Sequence, residues 1–382
     1  MKEISISLTQ MYSLNRKNQR YQWIIPSLSS IPWTQLGDMM FHPQTQQDIQ
    51  KQLAMLCVKI MINYGDILGI SLFESLYDTF RMKEDTSNSI IKSILLQGFL
   101  TSGFISFMIS TVCSYLQNPI PQVTILTLNS ISSVNDSVAS ILAPSIWDKI
   151  LWLTKSAMQQ CKVQKSPSEL LNASLRAIMK YLPLASFSPQ MEGILMEGVS
   201  ILPLCTTREQ LGIIQMLEGI PEYMLKELSS EVMDHVIMSF VFVVSRETRV
   251  ALKGLVAFAT WVPYFPQTQL DMFVNAVELN QNALLLLPTT SVLSLLFVVL
   301  QRLDSLHVSE APGCLSALLL KILQDNPENL VIFIHGYRRL SLSLAHQQEL
   351  CDLIRSEIGN SEYRLSFLDV VAAKEVRIAM FP

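Results

Sequence analysis

The chain has 382 residues, of which 49% are apolar and only 16% charged, and its formal net charge is -4. Charged residues usually make up about a quarter of a chain, so a protein this apolar must bury a large core or large interfaces. A pI near 5.8, with no long run of either sign, provides no electrostatic footprint for nucleic acid and excludes nucleic-acid binding as the main activity.

Residues 1–20 read as an irregular lead-in. Lys2, Arg16, Lys17 and Arg20 are present, but no continuous apolar core follows them, so the segment is not a secretory signal. Residues 21–382 read as one continuous helical-repeat array. Its first stretch, Tyr21 to Trp33, carries Trp23, Trp33, Ile24, Ile25 and Ile31 with no polar face. A free solenoid end is closed by a polar outer face, so the array is expected to be part of a longer one.

Pro43 stands at an expected first helical turn, followed by Ile49, Leu53, Leu56, Cys57, Ile60 and Met61 at spacings of three and four. Asp66 is expected to cap the next helix, whose stripe runs from Ile67 through Leu72, Phe73, Leu76 and Tyr77 to Phe80. After a charged turn at 81–85, the stretch from Ser93 to Asn135 carries no charge at all. Within it, 94–116 reads as an apolar helix interrupted near Gly98 and Gly103, 118–121 as a proline break, and 122–131 as a second helix. Such a hairpin needs cover, and Leu95, Phe99, Ile105, Met108, Ile125 and Leu128 are its expected core.

Pro144 is expected to open a helix through Ile146, Trp147, Ile150, Leu151 and Met158. Ser166 to Glu169 matches a capping box with proline at the first helical position, and Thr206 to Glu209 matches a second. Ser188 and Pro189 start another helix; Pro221, Pro263 and Pro266 separate those that follow. Helices over 270–277, 288–303, 312–323, 327–340, 346–358 and 362–380 complete the chain. Strand signals are scarce and no Asn-Gly or Asp-Gly hairpin turn occurs. Paired, these helices form units of about 35–45 residues that bury each other by stacking. The fold class is all-α, an α-solenoid of stacked antiparallel helix pairs.

The stretch from Asn329 to Gly336 resembles the strand and His-Gly turn that open the oxyanion region of α/β-hydrolases, which would place His335 and Gly336 in that role. No G-x-S-x-G follows, and the remaining chain is too short for the rest of that fold. His42, His235, His307, His335 and His346 are isolated, so no metal-ligand spacing exists. No nucleotide-binding glycine motif, zinc-protease motif or calcium loop is present, so no catalytic, cofactor-binding or metal-binding residue is assigned. Asp234 and His235, inside the apolar run 232–244, read as an outer face or a polar contact at an interface. Arg338 with Arg339, and Arg16 with Lys17, read as solvated charges. The Asn135 and Asn172 glycosylation matches have no secretory context.

The six cysteines (Cys57, Cys113, Cys161, Cys205, Cys314 and Cys351) are scattered singly, as small buried apolar groups in a reducing compartment are. The apolar run 279–301 is divided by Pro288 to Ser291 into pieces shorter than the roughly 20 residues that span a membrane, so no membrane insertion is expected.

The succession of helical hairpins resembles HEAT and armadillo-type scaffolds. Trp33 to Leu36, Ile49 to Leu53, Cys57, Ile60 and Met61 look like a segment in the C-terminal part of the focadhesin family of armadillo-like proteins; the meiosis inhibitor family is a second resemblance. The focadhesin resemblance implies a cytoplasmic scaffold, at cell adhesions or on an RNA-decay assembly. The expected function is a non-enzymatic scaffold that presents an extended helical surface to partner proteins. It is intracellular, with the cytoplasm preferred to the nucleus. A hydrolase using His335 and Gly336 and a membrane-embedded bundle are the alternatives.

Overall fold

In a computed structural model, residues 30–325 are described, apart from 69, 83–88, 103, 165–167, 245–247 and 309–311. Every regular element among them is helical. The chain divides into two compact units, Met1–Ile194 and Leu195–Pro382. The expected lead-in, the helices expected beyond 325, His335, Gly336, His346, Cys351 and the two basic pairs lie outside the described residues.

In the first unit the helices are α1 (Trp33–Phe41), α2 (Gln47–Leu68), α3 (Ile70–Met82), α4 (Ser89–Thr101), α5 (Ile105–Leu116), α6 (Pro121–Ser132), α7 (Asp136–Gln164) and α8 (Glu169–Tyr181). They alternate between two rows. The even-numbered helices lie side by side, α2 on α4, α4 on α6 and α6 on α8. In the other row α1 packs on α3 and α5 on α7, and consecutive helices such as α4 and α5, or α7 and α8, close the gap between the rows. Each helix thus buries one face along its row and another across it, which is the solenoid-like arrangement that apolar hairpins require.

The division between the units falls within α9 (Pro189–Ile201). The second unit continues with α10 (Thr207–Glu218), α11 (Glu222–Glu227), α12 (Ser230–Val244), α13 (Thr248–Ala257), α14 (Gln267–Leu279), α15 (Gln281–Leu284), α16 (Thr289–Ser305) and α17 (Gly313–Asp325). The same alternation returns: α10, α13 and α16 form one row, α12, α14 and α17 the other. Gly254 allows the close approach of α13 to α12, since a β-carbon there would stand 2.3 Å from the Phe240 ring. That ring stacks on Phe258 at 3.8 Å, and Phe258 on Trp261 at 5.2 Å.

The charge-free stretch lies at the centre of the first unit. Every described residue of α4 is buried or half-buried, and α2 and α6 cover it from either side. Its hydroxyls are satisfied locally: Ser102 donates to the Gly98 carbonyl at 2.7 Å, Thr127 to Val123 at 2.8 Å and Ser132 to Leu128 at 2.6 Å. Back-bonded serines and threonines therefore stand in a packed interior at little desolvation cost. At Gly98 an added β-carbon would meet Met61 and come within 3.3 Å of the Val58 backbone, which sets how closely α2 and α4 approach. Among the described residues no helix is long and apolar enough to cross a membrane.

Helix-end carbonyls are closed by side chains from adjacent elements. Gln50 donates to the His42 carbonyl at 3.0 Å and Gln210 to Leu202 at 2.9 Å, each reaching back eight residues. Tyr181 donates to Ile131 at 3.1 Å and the Trp261 indole to Leu217 at 2.9 Å, each at the penultimate residue of a helix. These are the carbonyls a helix leaves without internal partners. A second recurring device is a proline-centred 3₁₀ turn after a helix: Leu182–Leu184, Leu202–Leu204 and Val262–Tyr264. The first residue of each turn is buried.

Several local expectations are corrected. Ile105 and Ile125 are half-buried, whereas Leu95, Phe99, Met108 and Leu128 are fully enclosed. The inner face of α6 runs through Val123, Thr127, Leu128 and Ile131, which turns Ile125 toward its edge. Asp66 lies inside the last turn of α2 and begins nothing; α2 itself starts at Gln47, four residues after Pro43. The cap of α8 is Ser168, whose hydroxyl accepts the Leu171 N–H at 3.1 Å, so the helix begins after Pro167 and not at it. At α10 the Thr206 N–H donates to the Glu209 carboxylate at 2.9 Å, as the capping-box pattern requires. Pro144 sits within α7 and does not open it.

Candidate functional site

Helix α7 is the longest described helix, with 29 residues. Asn135 starts it, its side-chain oxygen accepting the Val138 N–H at 2.9 Å and the Ser137 hydroxyl at 2.8 Å. Asp136 in the first turn and Lys162 in the last complement the helix dipole, and Lys180 of α8 pairs with Asp136 at 2.5 Å. The strong start carries the helix through Pro144. A proline there removes the donor that would reach the Ser140 carbonyl. Both residues are exposed, so water can take its place.

The inner stripe of α7, through Leu142, Ile146, Ile150, Leu151 and Met158, is buried against α5 and α8. Cys113 of α5 adds a thiol contact to the Ser145 carbonyl at 3.5 Å. The outer stripe carries apolar groups that nothing covers: Ile141 is 51% exposed and Trp152 is 59% exposed. Asp148 stands one turn before Trp152 and is also exposed. Neither Asp148 nor Trp152 has a hydrogen-bond, ion-pair or ring partner among the described residues.

Two hollows meet at Asp148. The larger, about 450 Å³, lies between α7 and the loop 184–189, with Pro144, Trp147 and Asp148 on one wall and Ser186, Phe187 and Ser188 on the other. The smaller, about 200 Å³, lies between the end of α5 and α7, and is lined by Gln117, Asp148, Lys149 and Trp152. Trp147, in the wall of the larger hollow, is 6% exposed, and its indole N–H is buried with no acceptor. An unpartnered buried donor costs about 1–3 kcal/mol, and this one is sealed from solvent. The region presents the exposed Trp152 ring, the Asp148 carboxylate and the Ser186 hydroxyl.

The histidines are not brought together. His42 accepts the Gln44 N–H at 3.2 Å and is exposed; His235 is exposed; His307 is exposed with a left-handed φ of 58°. Among the described residues no group of three or more His, Cys, Asp or Glu side chains could hold a metal ion. Cys57, Cys113, Cys161, Cys205 and Cys314 are free thiols. Burial pushes the Cys57 thiol up to about 12 and the Tyr115 phenol up to about 12. Asp234 and His235 divide between the two expected roles. Asp234 accepts from Gln269 of α14 at 2.5 Å, a contact between packed helices, while His235 faces out.

Sequence reasoning placed Trp147 in the apolar stripe and passed over Trp152. A signal for Trp152 exists: it falls four residues after Asp148 and outside the stripe of Ile146, Ile150 and Leu151. A large aromatic on a polar face is the informative exception to burial. The unpaired indole of Trp147 has no such signature, because it depends on which acceptors the packed neighbours place beside it. In the second unit, a further hollow of about 260 Å³ between α10, α13 and the start of α16 includes Glu218 and Lys253 but no exposed aromatic.

No protein-family profile matches the chain, and no curated protein does. Among solved structures, it is similar to the crystal structure of an engineered protein, a Northeast Structural Genomics Consortium target. The TM-score is 0.50 and the identity 14%, over 84% of this chain and 81% of that one. At that identity the likeness concerns the fold alone.

Proposed function

We propose that the protein is a non-enzymatic helical-repeat scaffold of the HEAT or armadillo kind, acting in the cytoplasm, and that the outer face of α7 receives a partner protein. The observation that carries this reading is Trp152, 59% exposed on a helix whose opposite face is fully packed. Tryptophan is the residue type most often found at energetic centres of protein interfaces. The smaller hollow beside it, and the larger one a turn earlier at Asp148, provide the relief that a flat surface lacks.

Site-specific photo-crosslinking tests this in cells. A crosslinking amino acid at Trp152 is expected to trap a discrete partner protein, and one at Glu227, exposed on α11 of the second unit, is expected not to trap it. Absence of any adduct at 152, or the same adducts at both positions, would contradict the proposal.

A further inference from the structure

The hollow of about 260 Å³ in the second unit lies along one row of helices, between α10, α13 and the start of α16. Leu211 and Ile214 of α10, Val256 of α13 and Leu287, just before α16, give it apolar walls. Its charged groups stand at the rim. Glu218 of α10 and Lys253 of α13 are both exposed, come from different helices, and form no side-chain hydrogen bond or ion pair with a described residue. The side chains of Gln215 and Ser291 beside them are likewise unengaged among the described residues.

Volume decides what can enter. A cavity of about 150 Å³ accepts a benzene ring, whereas sites that enclose whole ligands run from about 300 to 1,000 Å³. The hollow falls between the two, so it suits one apolar side chain that stays attached to a larger molecule. Charge decides what that molecule carries beside the anchor. An acidic residue meets the Lys253 ammonium and a basic residue meets the Glu218 carboxylate, while the reverse arrangement sets like charges together at both walls.

We infer that this hollow is a second docking site, which takes a leucine, methionine or phenylalanine side chain of a partner protein, flanked on one side by an acidic residue facing Lys253 and on the other by a basic residue facing Glu218. Gln215 and Ser291 supply hydrogen-bonding groups for the main chain of that segment. The site shares with the reading above only that its ligand is a protein; no residue of α7 takes part.

The test is a selection of random phage-displayed peptides on the full chain, followed by titration of the enriched peptides and by methyl spectra of Leu211, Ile214, Val256 and Leu287. The expected peptides carry an acidic and a basic residue on opposite sides of an apolar one, and they shift those methyl resonances. Glu218→Lys combined with Lys253→Glu should weaken them about tenfold, since exposed charge pairs are individually weak. Exchanging the two charges in the peptide should then restore the affinity. Both positions are exposed, so the unfolding midpoint of the double variant should stay unchanged. Enriched peptides that leave the four methyl groups unmoved, or that bind the double variant equally well, would overturn the inference. Free leucine or phenylalanine moving those methyl groups as strongly as the peptides do would also overturn it, and would assign a small-molecule site instead. Peptides that lose affinity on Trp152→Ala but not in the double variant would overturn it and leave the α7 reading in place. No enrichment over bare support would overturn it as well, while the α7 reading would still rest on its own crosslinking result.

Discussion

Leu128 and Ile125 are three residues apart in α6, yet Leu128 is completely enclosed and Ile125 lies half-exposed at the edge. The difference is one of helical phase, since three residues advance the helix by about 300°. Leu128→Asp places an unpaired charge in the core and is expected to cost more than about 4 kcal/mol, whereas Ile125→Asp can turn its carboxylate to water and should cost about 1–2 kcal/mol. Chemical denaturation of the two variants measures this, and equal losses would contradict the packing described for α6. Both positions read as core from the sequence because the whole stretch lacks charge, so composition could not show which apolar residues face inward. That information resides in the neighbours α4 and α8, which are distant in sequence.

Helix beginnings depend on which hydroxyl is held at the N-terminus. Serine is available at 166 and at 168, and the structure uses Ser168, whose Oγ accepts the Leu171 N–H at 3.1 Å. Ser168→Ala should therefore cost about 1 kcal/mol, read as a lower midpoint of thermal unfolding; no change would show that the cap contributes nothing. Helix existence was legible from periodicity nearly throughout, because apolar residues at spacings of three and four mark a face wherever it packs. Boundaries were legible at Ser188–Pro189 and at the Thr206–Glu209 capping box, and failed where a second candidate cap stood nearby, as Ser168 does beside Ser166. At Pro144 a proline signalled a start, but Asn135 had already capped the helix nine residues before the ring. At Trp33–Phe41 the buried residues Trp33, Leu36, Gly37, Met40 and Phe41 do fall at spacings of three and four, but the stripe spans only nine residues and no side chain caps its start, so the helix went unread. The candidate site was less legible than the fold. Asp148 and Trp152 share a helical face, a relation the sequence contains, but their lack of partners is a property of the assembled neighbours.

At the scale of the molecule, alternation between two rows means that interior groups are shared between consecutive helices, and buried acids report on that interior. Cys57 is fully enclosed, and Tyr115 and Tyr181 are raised well above the ordinary phenol range by burial. For each, the folded chain holds the proton more tightly than the unfolded one. Their contribution is therefore complete below the unfolded values of 9.0 for the thiol and 10.0 for the phenols, and is lost as pH rises through those values toward about 12. Thermal unfolding midpoints should fall steadily from pH 9 to pH 11, and fall less steeply in Cys57→Ala after allowance for its lower starting stability. A flat profile would contradict the enclosure of these groups.

The central claim is that the outer face of α7 binds a partner through Trp152. The direct measurement is the affinity of Trp152→Ala for the partner protein trapped at that position, made beside the thermal midpoint of the same variant. An exposed side chain contributes little to folding, while a tryptophan at the centre of an interface contributes about 2 kcal/mol or more, roughly thirtyfold in affinity. The expected result is that loss of binding with an unfolding midpoint unchanged within about 2 °C. Unchanged affinity, or a loss accompanied by an equivalent loss of stability, would contradict the account.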